Sequence, residues 1–316
     1  MKDKKRTIMY VLASAFIFST MEIALKITGS GGSLDEFQLT FIRFLIGGLF
    51  LLPFAVKEIR TRELKLGKHD YIYLFLLGFI CICLSMVVFQ MGVMASNAST
   101  AAVIFCINPM FTVFFAHFLT SEKLTRVKVV SMGISLIGLV CIINPAHINP
   151  GNTLIGMLMV FIAALLFGLY SAMGKRRIER IGGLAQTSLS FLFGAAALLI
   201  CMIVLRRPVL FEIGTHNILN ILYLSIVVTG LGYLFYFKAM EISNAGTAAV
   251  VFFLKPVFAP ILAVIVLSEK LPLAAIIGIG FILAGSFINL GYKRKKQTPI
   301  AEETDHDSEQ CAGKFS

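Results

Sequence analysis

Two stretches of this chain carry nearly the same sixteen letters. Residues 96–111 read SNASTAAVIFCINPMF, and residues 243–258 read SNAGTAAVVFFLKPVF. The match extends without a gap from 96–124 to 243–271, and about half of the aligned positions are identical. Both copies end in the letters SEKL. A repeat of this length predicts that the chain contains two copies of one structural unit.

The composition indicates that the lipid bilayer surrounds these units. Of the 316 residues, 58% are hydrophobic and 14% are charged, and the mean hydropathy is +0.87. A water-soluble domain of this length cannot cover so much apolar surface. Apolar runs of about 17 to 25 residues cross a bilayer as helices. We therefore predict an all-α integral membrane protein with ten transmembrane helices, called spans 1 to 10, near residues 8–28, 37–56, 70–92, 97–119, 127–143, 152–174, 185–205, 218–238, 244–267 and 272–291.

Each copy holds five spans, so the predicted units are 8–143 and 152–291, joined by an extracytoplasmic connector at 144–151. Because five is odd, the second unit enters the membrane in the opposite orientation. Inverted repeats are typical of secondary transporters, whose substrate site lies near the midplane between the repeats. Two nearly equivalent halves also give two nearly equivalent conformations, one open to each side of the membrane.

The basic residues predict that both termini are cytoplasmic, because cytoplasmic loops carry an excess of Lys and Arg. In that orientation the cytoplasmic segments outnumber the opposite side by about five to one in Lys and Arg. This asymmetry explains most of the net charge of +11, so nucleic acid is not needed as a partner. Residues 1–7 form a basic N-terminus, and the polar tail at 292–316 is predicted to be disordered. The expected location is the cytoplasmic membrane of a prokaryote.

Three stretches resemble one transporter family. INPMFTVFFAHFLTSEKLT from Ile107 and LKPVFAPILAVIVLSEKLP from Leu254 are similar to paired signatures of the drug/metabolite transporter superfamily, in its ten-helix EamA-type branch. QLTFIRFLIGGLFLLP from Gln38 resembles the second helix of that branch and includes Arg43. The resemblance covers about residues 8–291. It implies the inverted fold and a carrier of amino acids, other metabolites or drugs.

Lys255 is the leading candidate for solute binding. It is predicted near the middle of span 9, immediately before Pro256, where the helix loses a backbone donor and the freed carbonyls must face a cavity or protein. A lysine in the bilayer needs an anion or water. Its partner is either Glu22 or a carboxylate of the solute. The alternative is a structural lysine neutralised inside the protein.

Asn108 is the repeat mate of Lys255 and precedes Pro109, as Lys255 precedes Pro256. Pro109 and Pro256 are therefore the predicted helix-break and gating positions. The repeat predicts a moving scaffold, and the change from Asn to Lys places charge on one wall at the midplane. An anionic or zwitterionic ligand would use that charge. Asn108 itself offers a donor and an acceptor to a solute, or satisfies the backbone beside Pro109.

Glu22 and Arg43 are the other ionisable candidates for the site. Arg43 could hold a carboxylate with two hydrogen bonds, extend toward the membrane surface, or pair with Glu22, and the pair is preferred. Glu22 is either a proton carrier, since low dielectric favours its neutral form, or half of a fixed salt bridge. Phe105, Phe252 and Tyr170 are expected to shape the cavity.

We expect a secondary-active or facilitative carrier of an amino acid or another carboxylate-bearing metabolite. Export is the direction that the resemblance implies, and protons are a candidate coupling ion. A multidrug or cationic metabolite exporter of the same family is the alternative. An integral-membrane enzyme lacks support, because the sequence has no zinc-protease motif, no nucleophile elbow and no Asp/His cluster for two metals. A partner protein without transport activity and an anion-selective pore remain open. No cofactor or metal is expected.

Overall fold

A computed structural model of the protein describes residues 2–30, 34–119, 125–143, 150–209, 215–242 and 250–297, and their regular structure is helical throughout. Eight helical rods there are long and apolar enough to cross a membrane, and two shorter apolar helices lie at 254–267 and 273–285. The predicted all-α architecture of ten spans in two inverted sets of five is confirmed. The spans comprise Lys2–Ser19 with Met21–Ser30; Glu36–Thr61; Lys68–Gly78, Phe79–Met86 and Val87–Met94; Ala98–Phe105 with Asn108–Leu119; Arg126–Ile143; Leu154–Ile181; Gly183–Val204; Thr215–Leu222, Tyr223–Leu231 and Gly232–Ile242; Val250–Leu267; and Leu273–Gln297.

Some predicted segments lie wholly or partly outside the described residues. These are the first letters of the second copy at 243–249, most of the connector at 144–149, and the tail from 298 onward.

Several spans are not simple α-helices. Span 1 is interrupted at Thr20, and span 4 is interrupted at Cys106 and Ile107. Spans 3 and 8, which are repeat mates, each contain a π-helical stretch, Phe79–Met86 and Tyr223–Leu231. Such stretches are rare and occur frequently at functional sites. Their position in both repeats shows that the unit itself carries this irregularity.

The two proline positions differ in their effect on the helix. In span 4 the helix stops before Asn108 and restarts there, so Pro109 occupies the first turn, where its missing N–H is not needed. In span 9 the helix Val250–Leu267 continues through Pro256 and Pro260. The sequence led us to expect a disturbed turn at both prolines, and only span 4 is divided there.

The packing of the spans follows a two-fold arrangement. Spans 2 and 7, spans 4 and 9, and spans 5 and 10 pack against each other, and each pair consists of repeat mates. Span 1 packs against spans 8 and 9, and its mate, span 6, packs against spans 3 and 4. The contacts of one repeat therefore recur in the other, which is the arrangement of two inverted units about a shared axis.

Glycines allow the closest crossings between the repeats. A Cβ atom on Gly78 of span 3 would lie 2.1 Å from the carbonyl oxygen of Ser190 in span 7, and one on Gly194 would lie 2.5 Å from the carbonyl oxygen of Gly78. Any side chain at Gly78 would therefore separate the two helices. Small residues at helix contacts permit this approach in membranes.

Ion pairs lie at both ends of the spans. At one end, here called the basic face and marked by Lys57 and Lys68, the buried carboxylate of Asp70 accepts hydrogen bonds from Arg177 at 3.0 Å and Arg180 at 2.9 Å. Asp70 also accepts from the backbone N–H of Gly67 at the start of span 3. These contacts join span 3 to span 6, and hence one repeat to the other.

The other end of the spans is here called the opposite face and is marked by Asp35 and Glu269. Arg207 donates to Asp35 at 3.4 Å, which joins the start of span 2 to the end of span 7. The Glu269 carboxylate, between spans 9 and 10, accepts hydrogen bonds from the backbone N–H groups of Ala98 at 2.6 Å and Ser99 at 3.0 Å, and from the Ser99 hydroxyl. A carboxylate at a helix N-terminus is favourable, because the first N–H groups are unpaired and the helix dipole is positive there.

Candidate functional site

A narrow cavity lies between the two repeats. Spans 1, 2, 3, 4, 6, 8 and 9 contribute to it, so both repeats form its wall. Its side chains are mainly aromatic or apolar, with two cations: Phe18, Met21, Arg43, Phe44, Met86, Phe105, Phe167, Val228, Thr229, Tyr233, Phe252 and Lys255. About 30 Å³ is open to the centres of water-sized molecules, which is room for about two waters rather than an organic solute. The cavity in this structure is therefore too small to hold an organic solute.

Lys255 forms a buried ion pair with Glu22 across the cavity wall. The Lys255 ammonium donates to Glu22 Oε1 at 2.6 Å, and neither side chain is more than 4% exposed. Glu22 lies in the first turn of the second segment of span 1, Met21–Ser30, close after the break at Thr20, so its backbone position depends on that break. The pair joins span 1 of the first repeat to span 9 of the second. Of the two partners predicted for Lys255, the internal one is present.

Arg43 lies on the same cavity without a carboxylate partner among the described residues. Its side chain is 3% exposed. One terminal nitrogen donates to the sulfur of Met86 at 3.5 Å, and the guanidinium lies 4.5 Å from the centre of the Phe44 ring. Nε has no hydrogen-bond partner. Glu22 is close enough to interact electrostatically but bonds to Lys255 instead, so the preferred Arg43–Glu22 pair does not form.

One oxygen of Glu22 is also without a partner. Glu22 Oε1 is occupied by Lys255, whereas Oε2 is buried and accepts no hydrogen bond. Buried polar groups are normally satisfied. The site therefore holds one unsatisfied donor, on Arg43, and one unsatisfied acceptor, on Glu22, and the two lie on neighbouring spans.

Asn108 lies in the interior but uses its side chain locally. Its amide donates to the carbonyl oxygen of Phe105 at 2.8 Å, across the break in span 4. This is the backbone satisfaction named as the alternative to solute binding. Its repeat mate, Lys255, meanwhile reaches span 1. At this repeat position, Asn thus makes a local helix contact and Lys makes a bond between the repeats.

The aromatic candidates occupy different positions. Phe105 lies below the Lys255 ammonium, 5.4 Å from ring centre to nitrogen, within reach of a cation–π contact. Phe252, on the turn before Lys255, is stacked on Phe18 at 6.4 Å. Tyr170 is buried against Phe167 at 5.4 Å and is not part of the cavity wall. Phe105 and Phe252 thus lie beside the charged pair, as expected of cavity-shaping residues.

The sequence did not single out several wall residues. Phe44, Met86 and Val228 come from apolar runs in which any face could have been buried, so periodicity gave no signal for them. Met86 and Thr229 lie in or at the end of the π-helical stretches, which a sequence pattern does not reveal. Alignment of the two repeats would have identified spans 3 and 8 as equivalent parts of the cavity wall.

The sequence pattern of the EamA-like transporter family matches residues 5–144 and, a second time, residues 154–291. The chain belongs to the EamA-like transporter family. This establishes the resemblance seen at the Pro-containing repeats and makes the chain a multi-pass membrane transporter of that family.

Relatives in bacteria and archaea carry only general names. A protein of Clostridium kluyveri named an uncharacterized transporter is 41% identical over 92% of this chain and 95% of its own length. One from Archaeoglobus fulgidus is 25% identical over 76% of this chain and 89% of its own, and YxxF of Bacillus subtilis is 23% identical over 96% of both. A crystal structure at 19% identity superposes with a TM-score of 0.62, covering 93% of this chain and 99% of the other, and shows the same fold.

Proposed function

We propose that this EamA-like protein is a secondary-active or facilitative carrier of a small organic solute that bears a carboxylate, such as an amino acid. The solute binds in the cavity between the repeats, and access alternates between the two membrane faces. The observation that carries this proposal is Arg43, a buried guanidinium on the cavity wall that has an unsatisfied donor and is bonded to no described carboxylate. A guanidinium matches a carboxylate with two parallel hydrogen bonds.

Lys255 has a different part in this proposal from the one the sequence suggested. Its charge is already balanced by Glu22, so it holds the two repeats together at the midplane and adds to the field around Arg43. Glu22 remains the proposed carrier of a coupling proton, at a step of the cycle in which no solute is bound and its bond to Lys255 is open. Export toward the opposite face is the proposed direction.

Alternating access requires contacts that close each face in turn. The bond between Glu269 and the start of span 4 joins the second repeat to the first at the opposite face. The Asp70 contacts with Arg177 and Arg180 join the repeats at the basic face.

We propose that the basic face is cytoplasmic, as the excess of Lys and Arg predicts. In intact cells, a single cysteine introduced by Lys270→Cys should react with a membrane-impermeant reagent. A single cysteine introduced by Lys57→Cys should not react.

Thermal unfolding of the purified protein against a library of amino acids and small carboxylates tests the function. A ligand that binds the native state raises its Tm. A carboxylate should raise the Tm of the wild type and of Lys57→Gln, an exposed control that loses the same charge, but not that of Arg43→Gln. Binding that survives in Arg43→Gln, or that is confined to cationic compounds, would contradict the proposal.

Transport of the solute that the unfolding screen identifies is then measured in proteoliposomes. Trans-acceleration of labelled solute by unlabelled solute identifies a carrier, because a pore shows no such exchange. Loss of this exchange in Arg43→Gln, with the fold retained, is the expected result. Flux that ignores solute on the other side would favour the anion-selective pore.

A further inference from the structure

The charges around the cavity do not balance. Two cations, Arg43 and Lys255, lie on its wall, and the only described carboxylate bonded to either is that of Glu22. None of the three is more than 3% exposed as a residue. The site without solute therefore carries a net charge of about +1 in a low-dielectric environment, where an uncompensated charge is costly.

The charge of the solute decides whether that cost is relieved. A solute with a net charge of −1 brings the buried total to zero. A zwitterionic amino acid leaves it at +1, because its own two charges cancel, and a cation raises it to +2. Charge attraction acts strongly across such a site because the dielectric constant is low. The net charge therefore distinguishes a monoanionic solute from a zwitterionic amino acid, although both carry a carboxylate.

The remainder of the wall defines the body of the solute. It is dominated by rings, including Phe18, Phe44, Phe105, Phe167 and Phe252. Few polar atoms accompany them, and the Thr229 hydroxyl already donates to the Leu224 carbonyl oxygen at 2.8 Å within its own span. A sugar or another polyhydroxylated body would lose its bonds to water without replacing them. A flat apolar body would keep its contacts with the rings.

We propose that the solute is an apolar or aromatic monocarboxylate with a net charge of −1, bound through its carboxylate to Arg43, and not a zwitterionic amino acid. This inference rests on the proposed function and narrows it. The Glu22–Lys255 pair stays intact when the anion binds, since the anion completes the charge balance without displacing either partner. The cavity in this structure is too small to hold that solute, so binding takes place after the repeats separate on one face.

Four compounds with one carbon skeleton test the charge count directly. They are 3-phenylpropionate, phenylalanine, 3-phenylpropionamide and 3-phenylpropylamine, with net charges of −1, 0 as a zwitterion, 0 and +1. Apparent affinities come from the dependence of Tm on concentration. We expect 3-phenylpropionate to bind at least about tenfold more tightly than phenylalanine, with the amide weaker and the amine weakest.

Two variants separate the net charge from the individual groups. Arg43→Gln should abolish the preference for 3-phenylpropionate. The double variant Glu22→Gln with Lys255→Met removes one charge of each sign, leaves the total at +1, and should keep the preference. Because the double variant contains no unpaired buried charge, it is expected to fold even where either single change does not.

The possible outcomes distinguish this inference from the proposed function. If phenylalanine binds as tightly as 3-phenylpropionate and both depend on Arg43, the charge count is wrong and carboxylate transport stands. If the preference for the acid persists in Arg43→Gln, the assignment of the anion to Arg43 is wrong. If none of the four compounds raises the Tm, the aromatic monocarboxylate is overturned, and the wider library decides the proposed function separately.

Discussion

Replacing Lys255 by Met should destabilise the protein strongly, because the change leaves the Glu22 carboxylate buried without its cation. Glu22 has one oxygen on Lys255 at 2.6 Å and the other already unsatisfied. Removing one partner of a buried pair costs about 3–5 kcal/mol, most of it from the charge left behind. At roughly 2–4 °C per kcal/mol for chains of a similar size, the Tm should fall by on the order of 10 °C.

A double-mutant cycle isolates the pair from the packing. Glu22→Gln together with Lys255→Met removes both charges while keeping side chains of similar size, and such replacements are often nearly neutral. The double variant should therefore be more stable than the sum of the single changes by at least about 2 kcal/mol. Thermal unfolding in one detergent supplies all four values, with Lys57→Met as the exposed control. Additive effects, or a loss in Lys255→Met no larger than in the control, would show that the pair is not formed.

Three further predictions concern contacts between the repeats. Glu269→Gln should lower the stability by about 1–3 kcal/mol, because charge-assisted bonds to the start of span 4 become neutral ones, whereas Lys270→Gln beside it should have little effect on Tm. Asp70→Asn should lower the Tm more than Glu63→Gln does, since Asp70 is buried between two arginines and Glu63 is exposed. Equal Tm values would show that the contacts of Asp70 do not stabilise the basic face. Gly78→Ala should reduce the yield of folded protein in size-exclusion chromatography, because its Cβ would lie 2.1 Å from a carbonyl oxygen, while Gly133→Ala, with nothing within 4 Å, should be neutral or slightly stabilising.

The architecture could be predicted because its signals are local or periodic. Apolar runs mark the spans, and a repeat with an odd number of spans determines the inversion. The alignment of the two repeats also identified Asn108 and Lys255 as equivalent positions, one neutral and one charged. Glu22 was identified as one possible partner of Lys255, although 233 positions separate the two in sequence.

The pairing within the site could not be predicted. Glu22 had two cations as possible partners, and which of them it meets depends on how spans 1, 2 and 9 pack. The break at Thr20, which sets the position of Glu22, occurs at a residue with no proline or glycine beside it. The helix of span 4 breaks beside Pro109, whereas the helix of span 9 continues through Pro256. This difference likewise depends on the spans that pack around them. Arg43 therefore emerged as the unpaired cation only from the three-dimensional arrangement.

The π-helical stretches of spans 3 and 8 place residues of the cavity wall in wide helical turns. A π-helix bonds residue i to i+5, so a return to α-helical bonding removes one residue from the wider turn and passes it along the span. The residues between the old and the new position of the wider turn would then rotate by about 100° and advance by about 1.5 Å. Met86, at the end of the first stretch, and Thr229, within the second, would turn relative to Arg43. Such a register shift inside a span would exchange residues of the cavity lining, while the ends of that span stay in place.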